Sequence, residues 1–294
     1  MRENENDILR RVRKIEIKTR GLSNEIFAGK YHTAFRGRGM SFSEVREYRA
    51  GDDVRDIDWN VTARSSKPHI KIYEEERELT MMLLVDVSGS RMFGTTERMK
   101  KSVITEIAAV LAFSAAQNND KVGCIFFSDK VEKFIPPKKG KSHILMIIRE
   151  LISFEPESSR TAISEAVRFM SNVSKKRCTT FILSDFMNSP RDKTALEDAL
   201  KIAGSKHDLV GIRVYDRREA ELPDVGIVEL QDAETGGKVW LDTSSRSVRE
   251  HYAQSWVERS EAINELLRRN RIDTAMISTD GDYVVELIKL FKQR

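Results

Sequence analysis

Three groups of oxygen-bearing side chains stand out in the 294-residue sequence as able to do chemistry together: Asp86-Val87-Ser88-Gly89-Ser90, Thr161, and Ser184-Asp185. They offer carboxylates and hydroxyls and no soft ligand. A hard divalent cation such as Mg²⁺ wants this set, because it takes octahedral oxygen coordination and leaves positions for water or an outside oxygen. Each group alone also has an ordinary structural role. Asp86 and Thr161 suit helix N-caps, and the serines suit turns. What favours a metal site is their order along the chain, each beside the end of an apolar run or the start of a helical pattern.

The elements that must position these groups read as follows. MMLLVDV (81–87) is a buried-strand run, and 98–117 has apolar residues at helical spacing. VGCIFF (122–127) and KFIPP (133–137) read as extended, followed by helices over 143–154 and 161–173. TTFILSD (179–185), a helix over 194–204 and LVGIRVYD (209–216) continue the alternation. The segment 227–242 carries two alternating runs around a Gly-Gly turn and predicts a β-hairpin at a sheet edge. A long amphipathic helix, the strand 273–279 and a helix over 283–292 close the chain. Strands alternating with helices predict an α/β fold, a doubly wound and mainly parallel sheet. In such a sheet ligands bind beyond the carboxyl ends of the strands, where the three polar groups fall.

Residues 1–78 do not follow this rhythm and are expected to form a smaller N-terminal module beside a domain over 79–294. From Arg10 to Arg38 there are nine Lys/Arg against two Glu, a run that suits a solvated helix face or a phosphate-bearing partner. Further on, charge is dense from Arg46 to Arg64. Either Arg46, Arg55 and Arg64 pair with Asp52, Asp53, Asp56 and Asp58 to clamp a turn, with Ile57 and Trp59 pinning it to a core, or Arg46, Arg49, Asp52, Asp53, Arg55, Asp58 and Arg64 present a docking surface.

Several function classes recede. Cys124 and Cys178 sit in apolar strand-like runs, without CxxC or Cys/His spacing, and read as core residues in a reducing compartment. The five His show no HExxH pattern. Apolar runs are short and the first residues are strongly charged, so the expectation is a cytoplasmic chain with no membrane span and no signal peptide. With 50 basic and 46 acidic residues the net charge is +4, and no nucleic-acid partner is expected, although binding through Arg10–Arg38 is one alternative. The other is a metal-assisted hydrolase or phosphatase. Against it, position 88 is Ser where a DxD-type phosphotransfer motif needs an acid, and no GxSxG elbow occurs there.

Asp86-x-Ser88-x-Ser90, Thr161 and Asp185 resemble the metal-ion-dependent adhesion site of von Willebrand factor type A domains. Upstream, Arg46, Tyr48, Gly51, Asp52, Asp53, Arg55, Ile57, Asp58, Trp59, Ala63 and Arg64 resemble the signature of the prokaryotic domain-of-unknown-function family 58. The resemblance implies a type A-like domain in which Asp86, Ser88, Ser90, Thr161 and Asp185 hold Mg²⁺, with Mn²⁺ or Ca²⁺ as alternatives. It implies a non-enzymatic module that captures a partner carboxylate, as an adaptor for a MoxR-type AAA+ ATPase in chaperone-like maturation. One departure is Arg160, where type A domains commonly place Gly before the metal-site Thr. Arg160 would either occlude the site or reach toward an acidic partner.

Overall fold

The computed structural model describes residues 10, 13–15, 40–65, 67–75, 79–92, 99–187, 192–231 and 236–294. Most of the basic run from Arg10 to Arg38 therefore lies outside the described residues. The chain divides into two compact units, a small one, Phe35–Leu79, and a large one that joins Thr80–Arg294 with the described residues 10 and 13–15, so the small unit is shorter than the expected module over 1–78.

The small unit is an antiparallel pair, β1 (Met40–Glu47) and β2 (His69–Glu75), joined by a connection that carries a 3-10 turn (Val54–Asp56) and the one-turn helix α1 (Trp59–Thr62). Its acidic residues organise that connection. The Asp52 carboxylate accepts two bonds from the Arg46 guanidinium, both 2.8 Å, and one from the Arg49 backbone N–H at 2.7 Å. Asp53 caps the 3-10 turn and Asp58 caps α1 through the Asn60 and Val61 backbone N–H groups. Gly51, at φ +107°, takes the left-handed turn position that a side chain resists.

This is a clamp, but not the one expected from sequence. Asp58 pairs with Lys71 at 3.6 Å, and Arg55 and Arg64 form no ion pair among the described residues. Ile57 bridges to Ile70, whereas Trp59 is 70% exposed. A one-turn helix has too little face to bury an indole, so Trp59 points away from any core.

The large unit runs β3 (Thr80–Asp86), α2 (Lys100–Gln117), β4 (Lys121–Phe127), β5 (Val131–Lys138), α3 (Lys141–Ser153), α4 (Ile163–Val173), β6 (Thr179–Ser184), α5 (Asp192–Lys206), β7 (Asp208–Tyr215), α6 (Arg217–Ala220), β8 (Ile227–Gln231), β9 (Lys238–Asp242), α7 (Arg246–Arg269), β10 (Asp273–Ser278) and α8 (Tyr283–Gln293). Six strands form one sheet in the order β10-β7-β6-β3-β4-β5, parallel throughout except for β5, which runs antiparallel to β4. This is the expected doubly wound α/β class.

Successive side chains of a strand point to opposite faces, and both faces are covered here. Met82, Leu84, Ile125, Phe127 and Ile182 join Ile163, Val167 and Met170 of α4 and Leu196 and Leu200 of α5 in one core. On the other face Phe181 packs edge-on against Phe291 of α8, and Phe126 against Phe154. Burial on both sides explains the unbroken apolar run of β3.

The hairpin of 227–242 does form, but β8 and β9 pair only with each other, as a two-stranded sheet separate from the main one. β8 alternates exposed and half-buried residues and β9 is exposed except at Leu241, a pattern for a hairpin at the surface and not for one joining the edge of a sheet buried on both faces. Helix α4 begins at Ile163, two residues past Thr161, because the Ala162 N–H donates to the Ser128 carbonyl at 2.9 Å and holds the chain extended there.

The chain leaves β3 toward β4 and β5 on one side, and β6, β7 and β10 extend the sheet on the other. The direction of winding therefore reverses beside β3, and the crevice beyond the carboxyl ends of β3 and β6 is the switch point of the sheet.

Close packing of β4 on β5 gives a test of the sheet. A Cβ added at Gly123 would meet Met82 Sδ at 2.7 Å, the Pro137 backbone N at 3.0 Å and the Ile135 carbonyl at 3.1 Å. Two of those neighbours are backbone and cannot yield, so Gly123→Ala should lower stability by about 1–3 kcal/mol in urea denaturation.

Candidate metal centre

Asp86 is the last residue of β3 and is 2% exposed. One carboxylate oxygen accepts the Ser88 backbone N–H at 2.9 Å, which closes the turn after the strand. The other accepts the Ser184 hydroxyl, at 2.6 Å, from the end of the neighbouring β6. The Ser88 and Ser90 hydroxyls lie 3.2 Å apart, and the Ser90 hydroxyl helps to hold the Asp185 carboxyl low.

The turn after β6 is shaped to present Asp185. Ser184 Oγ accepts the Phe186 N–H at 3.0 Å, Asp185 Oδ1 accepts the Met187 N–H at 3.0 Å, and Phe186 sits at φ +58°. A buried phenylalanine in the left-handed region carries backbone strain, held in place by these bonds. Asp86, Ser88, Ser90 and Asp185 thus lie together beyond the ends of β3 and β6.

Thr161 arrives from a third direction. The Gly89 N–H donates to the Ser159 carbonyl at 2.9 Å, tying the segment before Thr161 to the Asp86–Ser90 turn, while Ala162 is tied to Ser128. Thr161 is 2% exposed, and its hydroxyl has no hydrogen-bond partner among the described residues. An unpaired buried hydroxyl costs about 1–3 kcal/mol, so a stranded oxygen at this rim is one that a ligand would satisfy. Arg160 beside it is exposed and forms no ion pair among the described residues.

Electrostatics set this rim apart from an ordinary turn cluster. Burial pushes the Asp86 carboxyl up, and the neighbouring Asp185 charge adds to that, to about 6. Asp185 is buried too, which alone would raise it, but the Lys100 ammonium, with the Met187 N–H and the Ser90 hydroxyl, outweighs burial and holds it below the usual carboxylate range. No three His, Cys, Asp or Glu gather among the described residues. A cation here would meet two carboxylates, with hydroxyls completing the set. Those residues fit Mg²⁺ in ligand type, charge and the stranded Thr161 oxygen.

Lys100, the first residue of α2, is a part of the site that reading the sequence for ligands missed. It is 1% exposed, and its Nζ donates to Asp185 Oδ2 at 2.9 Å and to Glu219 Oε1. Glu219 in turn accepts the Asp216 backbone N–H at 2.9 Å in the capping box of α6, and Asp216 accepts the Thr279 hydroxyl at 3.0 Å. Polar groups beyond β6, β7 and β10 are therefore wired into one buried network. The signal was present in the sequence: Lys100 lies three and seven residues before Val103 and Ile107, in line with the apolar face of its helix. Asp-x-x-Glu at 216–219 marked the cap.

Of the residues proposed for docking, Arg46, Asp52, Asp53 and Asp58 are engaged in the clamp of the small unit. Arg49, Arg55 and Arg64 are exposed, as are Trp59 and Val54.

A family model described as Protein of unknown function DUF58 matches residues 44–262, from β1 of the small unit into α7, short of the edge strand β10. The chain belongs to this family. An uncharacterized protein of Mycobacterium tuberculosis is 27% identical to this DUF58 chain over 96% of it and 88% of the relative. Among solved structures, the conserved hypothetical protein BatB from Bacteroides thetaiotaomicron is similar at TM-score 0.49 and 16% identity, over 73% of this chain and 98% of that one. The VWA domain of SpRpn10 is similar at TM-score 0.39 and 10% identity, over 74% and 95%. No helix among the described residues of this DUF58 protein is long and apolar enough to cross a membrane.

Lys100 is the ammonium ion-paired with both the buried Asp185 and the partly buried Glu219, so its removal should be costly. In metal-free buffer Lys100→Met is expected to lose about 3–5 kcal/mol in urea denaturation, because it leaves buried charge uncompensated. Lys100→Met/Asp185→Asn should recover part of that loss.

Proposed function

We propose that this DUF58 protein is a non-enzymatic protein-interaction module that captures a partner carboxylate through a divalent cation, Mg²⁺ in the first instance. The observation that carries the reading is the crevice at the switch point. There, two buried carboxylates and a stranded Thr161 hydroxyl converge from three chain segments. A bound cation would supply positive charge and an open coordination position at that rim.

The roles of the chain's own residues follow from their surroundings. Ser88, Ser90 and Thr161 offer hydroxyl oxygens. Asp86 and Asp185 offer negative charge, Asp86 oriented by Ser184 and Asp185 by the Met187 N–H and Lys100. Exposed Arg160 stands beside the site, placed to meet an acidic partner. The exposed Arg49, Arg55, Arg64 and Trp59 of the small unit provide a second contact surface, rich in the residue types that anchor interfaces. The partner we favour is a MoxR-type AAA+ ATPase in the cytoplasm, for which the chain would act as adaptor in chaperone-like maturation. That choice is supported by resemblance of the signature Arg46–Arg64 and the Asp86–Ser90 motif, not by any contact.

Titrating Mg²⁺ and Mn²⁺ calorimetrically into EDTA-stripped protein tests the reading. Saturable binding is expected, lost in Ser88→Ala/Ser90→Ala with the circular dichroism spectrum unchanged. Capture of an acidic partner should fall at least tenfold in EDTA. Capture that survives both EDTA and the double substitution would overturn the mechanism.

A further inference from the structure

We infer that Lys100 is a resident counter-cation of the candidate metal centre: it holds Asp185 in place when no divalent ion is bound, and it keeps the intrinsic affinity for such an ion low. This deepens the reading above and rests on it.

The first observation is where the ammonium lies. Lys100 Nζ is buried and ion-paired to Asp185 and Glu219, the residues that follow β6 and β7 at the rim of the crevice. Asp185 is also a predicted member of the metal set. Its two oxygens are already engaged, Oδ1 by the Met187 N–H and Oδ2 by Lys100. In this arrangement Asp185 contributes charge from behind a fixed pair of donors, and a divalent ion must share that charge with the lysine.

The second observation is that helix architecture argues against a lysine at this position. Lys100 opens an 18-residue helix whose first turn holds no acidic residue and whose N-cap, Met99, offers no side-chain cap. A helix N-terminus carries partial positive charge and disfavours a cation. Burial disfavours the ammonium as well, and Asp185 and Glu219 outweigh it. A lysine kept where both helix and burial oppose it is held there by the carboxylates.

Counting charges gives the consequence. Asp86, Asp185, Asp216 and Glu219 carry four formal negative charges against the Lys100 ammonium and the buried Arg213 guanidinium, whose charge also acts on Asp185, so two remain for a divalent ion. Without Lys100 the same carboxylates would draw the ion more strongly. With it, the site reaches full strength only when a partner carboxylate adds its own charge. Metal and partner then bind cooperatively, since each supplies what the other lacks. Lys100 is a positioning residue in this scheme and touches neither partner nor reacting atom.

The experiment is calorimetric titration of Mg²⁺ into EDTA-stripped wild type, Lys100→Met, Lys100→Arg and Glu219→Gln, with circular dichroism to establish folding. Removing a positive charge should tighten Mg²⁺ binding about tenfold or more in Lys100→Met, and Lys100→Arg should match wild type. Glu219→Gln removes a negative charge and should weaken binding severalfold. A merely structural lysine would make both variants weaker. Unchanged or weaker binding by folded Lys100→Met overturns the inference. If that variant does not fold, unchanged affinity in Glu219→Gln overturns it. Wild type that binds Mg²⁺ and loses it with Ser88→Ala/Ser90→Ala, beside an unaltered Lys100→Met, sinks this inference alone. Absence of binding in every protein, Lys100→Met included, overturns the metal reading and this inference with it.

Discussion

Asp86 and Asp185 are buried at the ends of adjacent parallel strands, and the cost of placing like charges in a dry sheet edge governs what surrounds them. Water cannot solvate them there, so other groups must. Ser184 reaches across from β6 to Asp86, backbone N–H groups close both turns, and Lys100 is drawn into the interior to meet Asp185. The left-handed backbone at Phe186 is tolerated for the same reason, since it turns the chain so that these bonds can form. Remove the carboxylates and little at this rim would require its present form.

The network extends further than the candidate ligands. Lys100 joins Asp185 to Glu219, Glu219 and Asp216 cap α6, and Thr279 after β10 donates to Asp216. The carboxyl edge of the sheet is therefore held by charge-assisted hydrogen bonds, while its two faces are held by apolar packing. A fully satisfied buried network tends to be rigid, and a stranded oxygen such as that of Thr161 is then conspicuous. The small unit applies similar chemistry at its own surface, where Arg46 grips Asp52 with a bidentate pair and leaves Trp59 outside.

Much of the large unit was legible from local pattern. The unbroken apolar run at 81–87 and the alternation of strands with amphipathic helices specify a parallel sheet covered on both faces, because period and burial are written in neighbouring residues. The Asp86–Ser90 and Ser184–Asp185 groups were legible for the same reason, each lying at the end of such a run. Pairing between distant segments was not. Lys100 and Glu219 are 119 residues apart, and nothing local says that they meet.

What the sequence alone determined is the class of fold, the order of its elements and the residues available at the rim, all of which depend on short-range periodicity and side-chain chemistry. Tertiary structure decided which charges find each other. The sequence alone offered Arg55 and Arg64 as clamp members and the 227–242 hairpin as a sheet edge. The folded chain chose Lys71 for Asp58, Lys100 for Asp185 and a separate two-stranded sheet for the hairpin. Ion pairs and strand partners are selected by distance after the chain has closed on itself, and that distance is set by the packing of the whole sheet.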